Sequence, residues 1–309
     1  GFVLWLVWRI NWGEVARRIS EVDRPYLLLY VAVLLTGIAI SSRKWQVIAR
    51  AKGFHRSYRD FFRAYLTGTF INNFLPSTIG GDTYRTLWLG KRDGRLSPAL
   101  STALFDRFTG IWAAMVFAIL FSLFHLKLVF ANPFWLFLDI AIMASLSFDF
   151  ALPILRKSST ARQLLEKFPE RIRRLVHEVM RYPFHRTTVP VLGWALLFNL
   201  IGVGLANLVL FRALGGEVHT IEYLGVIFLV TIVSNIPISI NNIGVKEWAY
   251  ATFFGYLGTS VEAAVAVALT SRLIQMMVSF SAIPFYLRSR DILGRETEDV
   301  PDMSSPSRR

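Results

Sequence analysis

Charge-free apolar blocks alternate along the chain with short basic stretches. Pro25–Ser42 lies without a charge between Arg24 and Arg43, and Thr187–Phe211 runs 25 residues without one. Leu96–Phe124 is interrupted only by Asp106 and Arg107, Leu128–Leu155 by Asp139 and Asp149, and Val261–Leu287 by Glu262 and Arg272. A helix needs about 20 predominantly apolar residues to cross a bilayer, so these blocks predict five membrane spans. Gly1–Trp8 is apolar but too short to cross, and reads as the clipped end of a first span rather than a signal peptide.

Lys and Arg in the loops orient the spans. Seven lie between Arg43 and Arg63, four between Arg85 and Arg95, nine between Arg156 and Arg186, and five from Arg288 onward. The complementary loops hold four between Arg9 and Arg24, then Lys127 alone and Arg212 alone. The basic group is therefore expected in the cytoplasm, with the C-terminus there and the protein in the cytoplasmic membrane.

This map constrains two further apolar blocks. Ala64–Gly81 carries no charge, yet both flanks are basic and expected on one side. Its middle, Asn72-Asn73-Phe74-Leu75-Pro76-Ser77-Thr78-Ile79-Gly80-Gly81, is poor helix material. Ile221–Gly258 is expected to begin and end on the opposite side; it holds the charge-free Tyr223–Val245, broken at Ser234-Asn235-Ile236-Pro237-Ile238-Ser239-Ile240-Asn241-Asn242-Ile243-Gly244. Both read as re-entrant hairpins, spanning 60–95 and 221–258. Irregular backbone survives at membrane depth only when buried in protein or lining a wet cavity.

A shift of 165 residues aligns the halves: Pro25 with Pro190, Gly37 with Gly202, Tyr58 with Tyr223, Asp82 with Glu247 and Arg107 with Arg272. In each half the order is span, hairpin, acid, then an arginine 25 residues after that acid. With hairpins entering from opposite faces, this is the plan of an inverted-topology repeat. The expected fold is an all-α polytopic membrane helix bundle with two re-entrant broken-helix hairpins. Its parts would be 1–24, repeat 1 at 25–115, a connecting span and basic linker at 116–187, repeat 2 at 188–290, and a disordered cytoplasmic tail at 291–309. Trp12–Val22 and Ser158–Tyr182 have amphipathic spacing and are expected at the outer and cytoplasmic surfaces respectively.

Composition narrows the function. At 54% hydrophobic and 18% charged residues the chain departs from the soluble average of about 25% charged. There is no cysteine, so thiolate metal sites and thiol nucleophiles are excluded. The net charge of +13 follows largely from topology and from attraction to anionic headgroups, so nucleic acid is not an expected partner. The five histidines are scattered, and no metal or cofactor is expected.

The candidate chemistry lies in charges at membrane depth, each costing roughly 2.5–3.5 kcal/mol at a helix centre. Asp82, Arg85, Asp106, Arg107, Lys246, Glu247 and Arg272 are the candidates, joined by the hairpin residues Asn72, Asn73, Pro76, Ser77, Gly80, Gly81, Asn235, Pro237, Ser239, Asn241, Asn242 and Gly244. One reading pairs the charges simply to clamp the halves together. The other makes a polar chamber in which Arg107, Arg272 and Lys246 attract an anionic headgroup, with amide donors added after Gly81 and Gly244. The Asn residues equally suit capping. Asp139 and Asp149 are expected in structural or interfacial roles.

Asn72–Arg85 (NNFLPSTIGGDTYR), the Asp106-Arg107 pair and Pro237–Glu247 (PISINNIGVKE) resemble the lysylphosphatidylglycerol synthetase transmembrane-region family. The resemblance covers about residues 1–290. It implies a flippase-like protein handling aminoacylated phospholipid, polyprenyl-phosphate or glycolipid, without the soluble aminoacyl-transferase domain. Membrane lipid is the expected partner, with a second copy or a lipid-synthesis enzyme as further candidates. Two rivals stand beside it: a lipid-modifying enzyme using the His55-to-Asp60 acyltransferase-like spacing, and a carrier of a small soluble anion. The expected class is a transporter, not an enzyme. A reporter fused after Arg295 is expected in the cytoplasm; labelling of that reporter by an impermeant reagent from outside would reverse the topology.

Overall fold

Apolar residues that cannot all be hidden inside the protein must face something other than water. Leu100, Leu104 and Phe108 form an exposed stripe on one helix, and Leu273, Met277 and Phe280 form another. Phe137, Leu28 and Phe130 are each more than two-thirds exposed. These faces suit a hydrocarbon solvent. The computed structural model describes residues 10–75, 79–91, 93–131, 133–155, 169–180, 182–216, 219–235 and 243–288. Among them every regular element is helical, and the chain is an all-α polytopic membrane helix bundle.

A short helix α1, Trp12–Ser20, leads into α2, Arg24–Ala51. Helices α3, Tyr58–Asn72, and α4, Ile79–Gly90, follow, then α5, Leu96–Ser122. A tight turn and the short α6, Leu126–Ala131, lead to α7, Pro133–Leu155. Helix α8 is Glu170–Met180 and α9 is His185–Ala213, with a π-helical segment at Asn199–Leu205. The last three are α10, Thr220–Ser234, α11, Val245–Gly255, and α12, Val261–Phe280.

Helices α2, α5, α9 and α12 are long and apolar enough to cross a membrane. The fifth expected span, Leu128–Leu155, corresponds to the 23-residue α7, which starts at Pro133. Helix α2 also overruns its expected end. The sequence suggested a loop from Arg43, but the helix continues to Ala51 and buries Lys44 and Trp45.

Two helix pairs fall short of a full span. At a rise of about 1.5 Å per residue, the 15-residue α3 and 12-residue α4 reach about 22 and 18 Å, against a core of about 30 Å. Helices α10 and α11, with 15 and 11 residues, are similarly short. Each pair packs against itself and against the long helix that follows it: α3 and α4 with α5 behind α4, α10 and α11 with α12 behind α11. The breaks fall where the sequence placed its turns. Pro76, Ser77, Pro237, Ser239, Asn241 and Asn242 lie outside the described residues, as do Gly1–Trp8 and the tail expected at 291–309.

Small residues set the closest crossings. A Cβ on Gly37 of α2 would come within 2.8 Å of the Gly202 Cα on α9, and one on Gly202 within 3.0 Å of the Gly37 Cα. A Cβ on Gly81 would lie 2.3 Å from the Gly68 carbonyl oxygen, so α3 and α4 also meet at glycines. Backbones approach this closely in membrane bundles where small residues line the contact.

The amphipathic segments dock on protein. Val15 of α1 is buried against Ala251, Val265 and Ala266. On the exposed side Arg17 and Arg18 bond Glu14, and the Arg17 hydrogen bond holds its carboxyl below the ordinary value. After α8, the Tyr182 ring stacks on Phe105 at 4.3 Å. Lys52 donates to the Glu178 carbonyl and carboxylate at 2.6 and 2.7 Å, fixing α8 to the end of α2.

Gly37→Ala is expected to force α2 off α9 and destabilise the bundle by about 1–3 kcal/mol. Gly193→Ala, on α9 with nothing within 4 Å of its Cβ, is the neutral control. Reversible unfolding in mixed detergent measures both, and equal stability would remove the crossing as a constraint.

Candidate functional site

A cavity of about 340 Å³ opens between α2, α3, α9, α10, α11 and α12. Leu34, Ile38, Phe198, Val203 and Met276 give it apolar walls. Neutral polar groups come from Ser41 on α2, Tyr65 and Thr69 on α3 with Asn73 just past its end, Asn207 on α9, Thr231 and Ser234 on α10 with Asn235 just past its end, Tyr250 on α11 and Gln275 on α12. Lys246 and Arg272 supply the charge, and no carboxylate lines the cavity among the described residues.

Several of these groups are held by neighbours. The Tyr250 hydroxyl donates to the Asn207 Oδ1 at 2.8 Å. Asn73 donates to the Ser279 hydroxyl at 2.7 Å, joining the end of α3 to the end of α12. Gln275 Nε2 lies 3.3 Å from the Tyr30 hydroxyl. Asn235 turns its amide back to the Thr231 carbonyl at 2.8 Å and closes the end of α10.

Gly244, Lys246 and Glu247 form one turn at the start of α11. Gly244 takes φ of 84°, a left-handed conformation that a side chain disfavours. Its N–H donates to Glu247 Oε2 at 2.7 Å. The other carboxylate oxygen of Glu247 accepts from Arg272 at 2.7 and 3.2 Å, behind the cavity wall. Lys246 reaches the Ser271 hydroxyl at 2.6 Å and lies 5.8 Å from the Tyr250 ring centroid.

The first half has a denser charge cluster. Arg107 pairs with Asp82, and Asp82 also pairs with Arg85. Arg85 bonds Asp106 at 2.9 Å and lies over the Tyr65 and Trp45 rings at 4.5 and 5.1 Å. Lys44 reaches the Asp106 carboxylate at 3.1 Å and its backbone carbonyl at 2.7 Å. Lys44 and Asp106 are each 3% exposed, so this pair is sealed from any aqueous path. Low dielectric makes such charges costly unless paired.

The arrangement corrects the sequence picture at several points. Asp82, Arg85, Asp106, Arg107 and Glu247 do not line the cavity; they lie in ion-paired clusters. At both helix starts the glycine's own amide is already taken. The Gly81 N–H donates to Asn72 Oδ1 at 2.6 Å, as the Gly244 N–H does to Glu247. Asn72 therefore caps the start of the next helix, because an unsatisfied amide is costly away from water. Gly80 is buried against Leu75 and has no room for a side chain. Asp139 is buried on α7, away from both clusters. The Asp60 carboxylate accepts from the Ser57 hydroxyl at 2.6 Å in a helix-start cap.

The sequence reading missed Lys44, Tyr65, Asn207, Tyr250 and Gln275. Lys44 was legible from spacing: Gly37, Ser41, Lys44 and Ile48 recur at helical intervals on one face of α2, which is inward-facing and whose Gly37 and Ser41 line the cavity. The others are isolated neutral groups in apolar runs, and nothing along the chain tells a lining position from a lipid-facing one.

Long helices with lipid-suited outer faces, two broken helix pairs and buried charge define a multi-pass membrane protein with a polar interior. The chain belongs to the lysylphosphatidylglycerol synthase TM region family, which it matches over residues 1–282. It is 24% identical over 302 residues to a UPF0104 membrane protein of Methanothermobacter thermautotrophicus, covering 89% of each chain. It is 27% identical over 92 residues to a UPF0104 membrane protein of Methanocaldococcus jannaschii, covering 29% of this chain and 27% of that one. No solved structure matches. Membership supports a lipid-related role in a membrane.

Asp106→Asn is expected to destabilise the protein by roughly 3–5 kcal/mol, because Lys44 and Arg85 lose a buried counter-ion. Adding Lys44→Met should recover part of that loss. A double-mutant cycle by detergent unfolding checks it, and additive losses would show that the pair is uncoupled.

Proposed function

We propose that this protein is a lipid flippase, moving a lipid with an anionic or polar headgroup across the cytoplasmic membrane with its C-terminus in the cytoplasm. The carrying observation is the cavity: Lys246 and Arg272 face a polar space inside a bundle whose outer surface is apolar. Charges kept at membrane depth mark substrate or ion paths more often than structure alone requires. The headgroup crosses through the cavity while the acyl chains stay in lipid.

The symmetry of the parts supports this reading. Asp82–Arg107 and Glu247–Arg272 are both ion-paired, each joining a short helix to the span after it. Gly37 and Gly202, matched by the 165-residue shift, meet at the crossing of α2 and α9. In a chain built as an inverted repeat, matched positions near the relating axis would touch, so this contact supports that reading. In this proposal α3–α4 and α10–α11 are re-entrant hairpins entering from opposite faces, and rocking of one repeat on the other gives alternating access.

Arg272→Ala is expected to abolish translocation of a fluorescent or native lipid in proteoliposomes. It also leaves Glu247 buried without its partner, so the paired change Glu247→Gln with Arg272→Gln is the informative variant. That double variant should regain stability while translocation stays absent. Unchanged transport in either variant would remove the site assignment. Lipids copurifying in mild detergent, compared by mass spectrometry between wild type and Arg272→Ala, identify the cargo.

A further inference from the structure

The charge of the cavity discriminates among lipid headgroups. Arg272 is balanced by Glu247, which accepts two bonds from it behind the wall. Lys246 makes no ion pair of its own among the described residues: its ammonium is met by the Ser271 hydroxyl and the face of Tyr250, and the nearby Glu247 carboxylate is the one paired with Arg272. Two cations thus share one carboxylate, and among the described residues this group keeps one net positive charge. An amine entering this space would meet like charge and no acceptor anion. A phosphodiester would meet Lys246.

The neutral lining adds a second criterion. Tyr65, Asn207, Thr231 and Gln275 offer hydroxyl and amide groups that suit sugar or glycerol hydroxyls. The volume is near the lower end for small-ligand pockets. It accommodates a headgroup but not acyl chains that each reach about 15 Å, half the hydrocarbon thickness.

We propose that the cavity selects lipids whose headgroup is a singly anionic phosphodiester bearing a hydroxylated, uncharged substituent, and rejects lipids whose headgroup carries an amine. This rests on reading the cavity as a lipid headgroup site. Lys246 is its selectivity residue. The aminoacylated lipids suggested by the family resemblance are therefore disfavoured cargo for this chain.

The test is competitive lipid binding to the purified full chain, read by native mass spectrometry. The probes are phosphatidylglycerol, phosphatidylethanolamine, lysyl-phosphatidylglycerol and the soluble headgroup glycerophosphoglycerol. Phosphatidylglycerol is expected to outcompete both amine-bearing lipids by about ten-fold or more, since a close buried charge contact is involved. Lys246→Gln should abolish that preference and Lys246→Arg should retain it. Equal retention of the three lipids by wild type overturns the proposal even if no variant folds, as does an unchanged preference in a folded Lys246→Gln protein. Displacement of phosphatidylglycerol by an equal concentration of glycerophosphoglycerol overturns the lipid-borne source in favour of a soluble anion. A preference that persists where proteoliposomes show no translocation supports this inference and removes the flippase reading. Translocation without headgroup preference does the reverse.

Discussion

Two ion pairs with the same 25-residue separation, Asp82–Arg107 and Glu247–Arg272, tie each short helix pair to the long helix after it. Hydrocarbon offers a charge no other partner, so each pair must form within the protein. Much of the local geometry follows from this requirement. Glu247 can serve Arg272 with one oxygen because its other oxygen holds the Gly244 amide across a left-handed turn. Asp82 serves two arginines, and the second, Arg85, brings Asp106 and Lys44 into the same cluster.

The two halves use that constraint differently. In the first, the added pair of Lys44 and Asp106 and the aromatic rings around Arg85 make a sealed cluster. In the second, the position matching Asp106 is Ser271 and that matching Arg85 is Tyr250. The second cluster is thereby thinner, and Lys246 is left facing the cavity with a hydroxyl and a ring as company. A cavity with cationic side chains on its wall arises from what the second half lacks relative to the first.

Close helix approach makes that arrangement possible. Without a hydrophobic drive between helices in lipid, packing depends on shape and on hydrogen bonds. Gly37 against Gly202 brings α2 and α9 together, while the π-helical segment carrying Gly202 points Asn199 at the Gly110 carbonyl, 3.1 Å away. Such π turns often accompany functional sites. Here the segment sets Gly202 and Val203 in the cavity wall.

The membrane class, the long spans, the two broken segments and the acid–arginine pairing were legible along the chain. Each rests on a local property: hydropathy sums over a window, Pro, Gly and Asn break helices, and a buried charge demands an opposite one. The tertiary structure decided which charges share a space. It buried Lys44, and it turned Asn72 and Glu247 onto the amides of Gly81 and Gly244. It also placed Arg107 in a cluster beside the cavity and Lys246 on its wall. Lining depends on the rotation of each helix about its axis, which neighbouring helices fix through packing. An apolar run with polar residues at scattered positions fits several rotations equally well, so only the assembled bundle distinguishes an interior asparagine from a lipid-facing leucine.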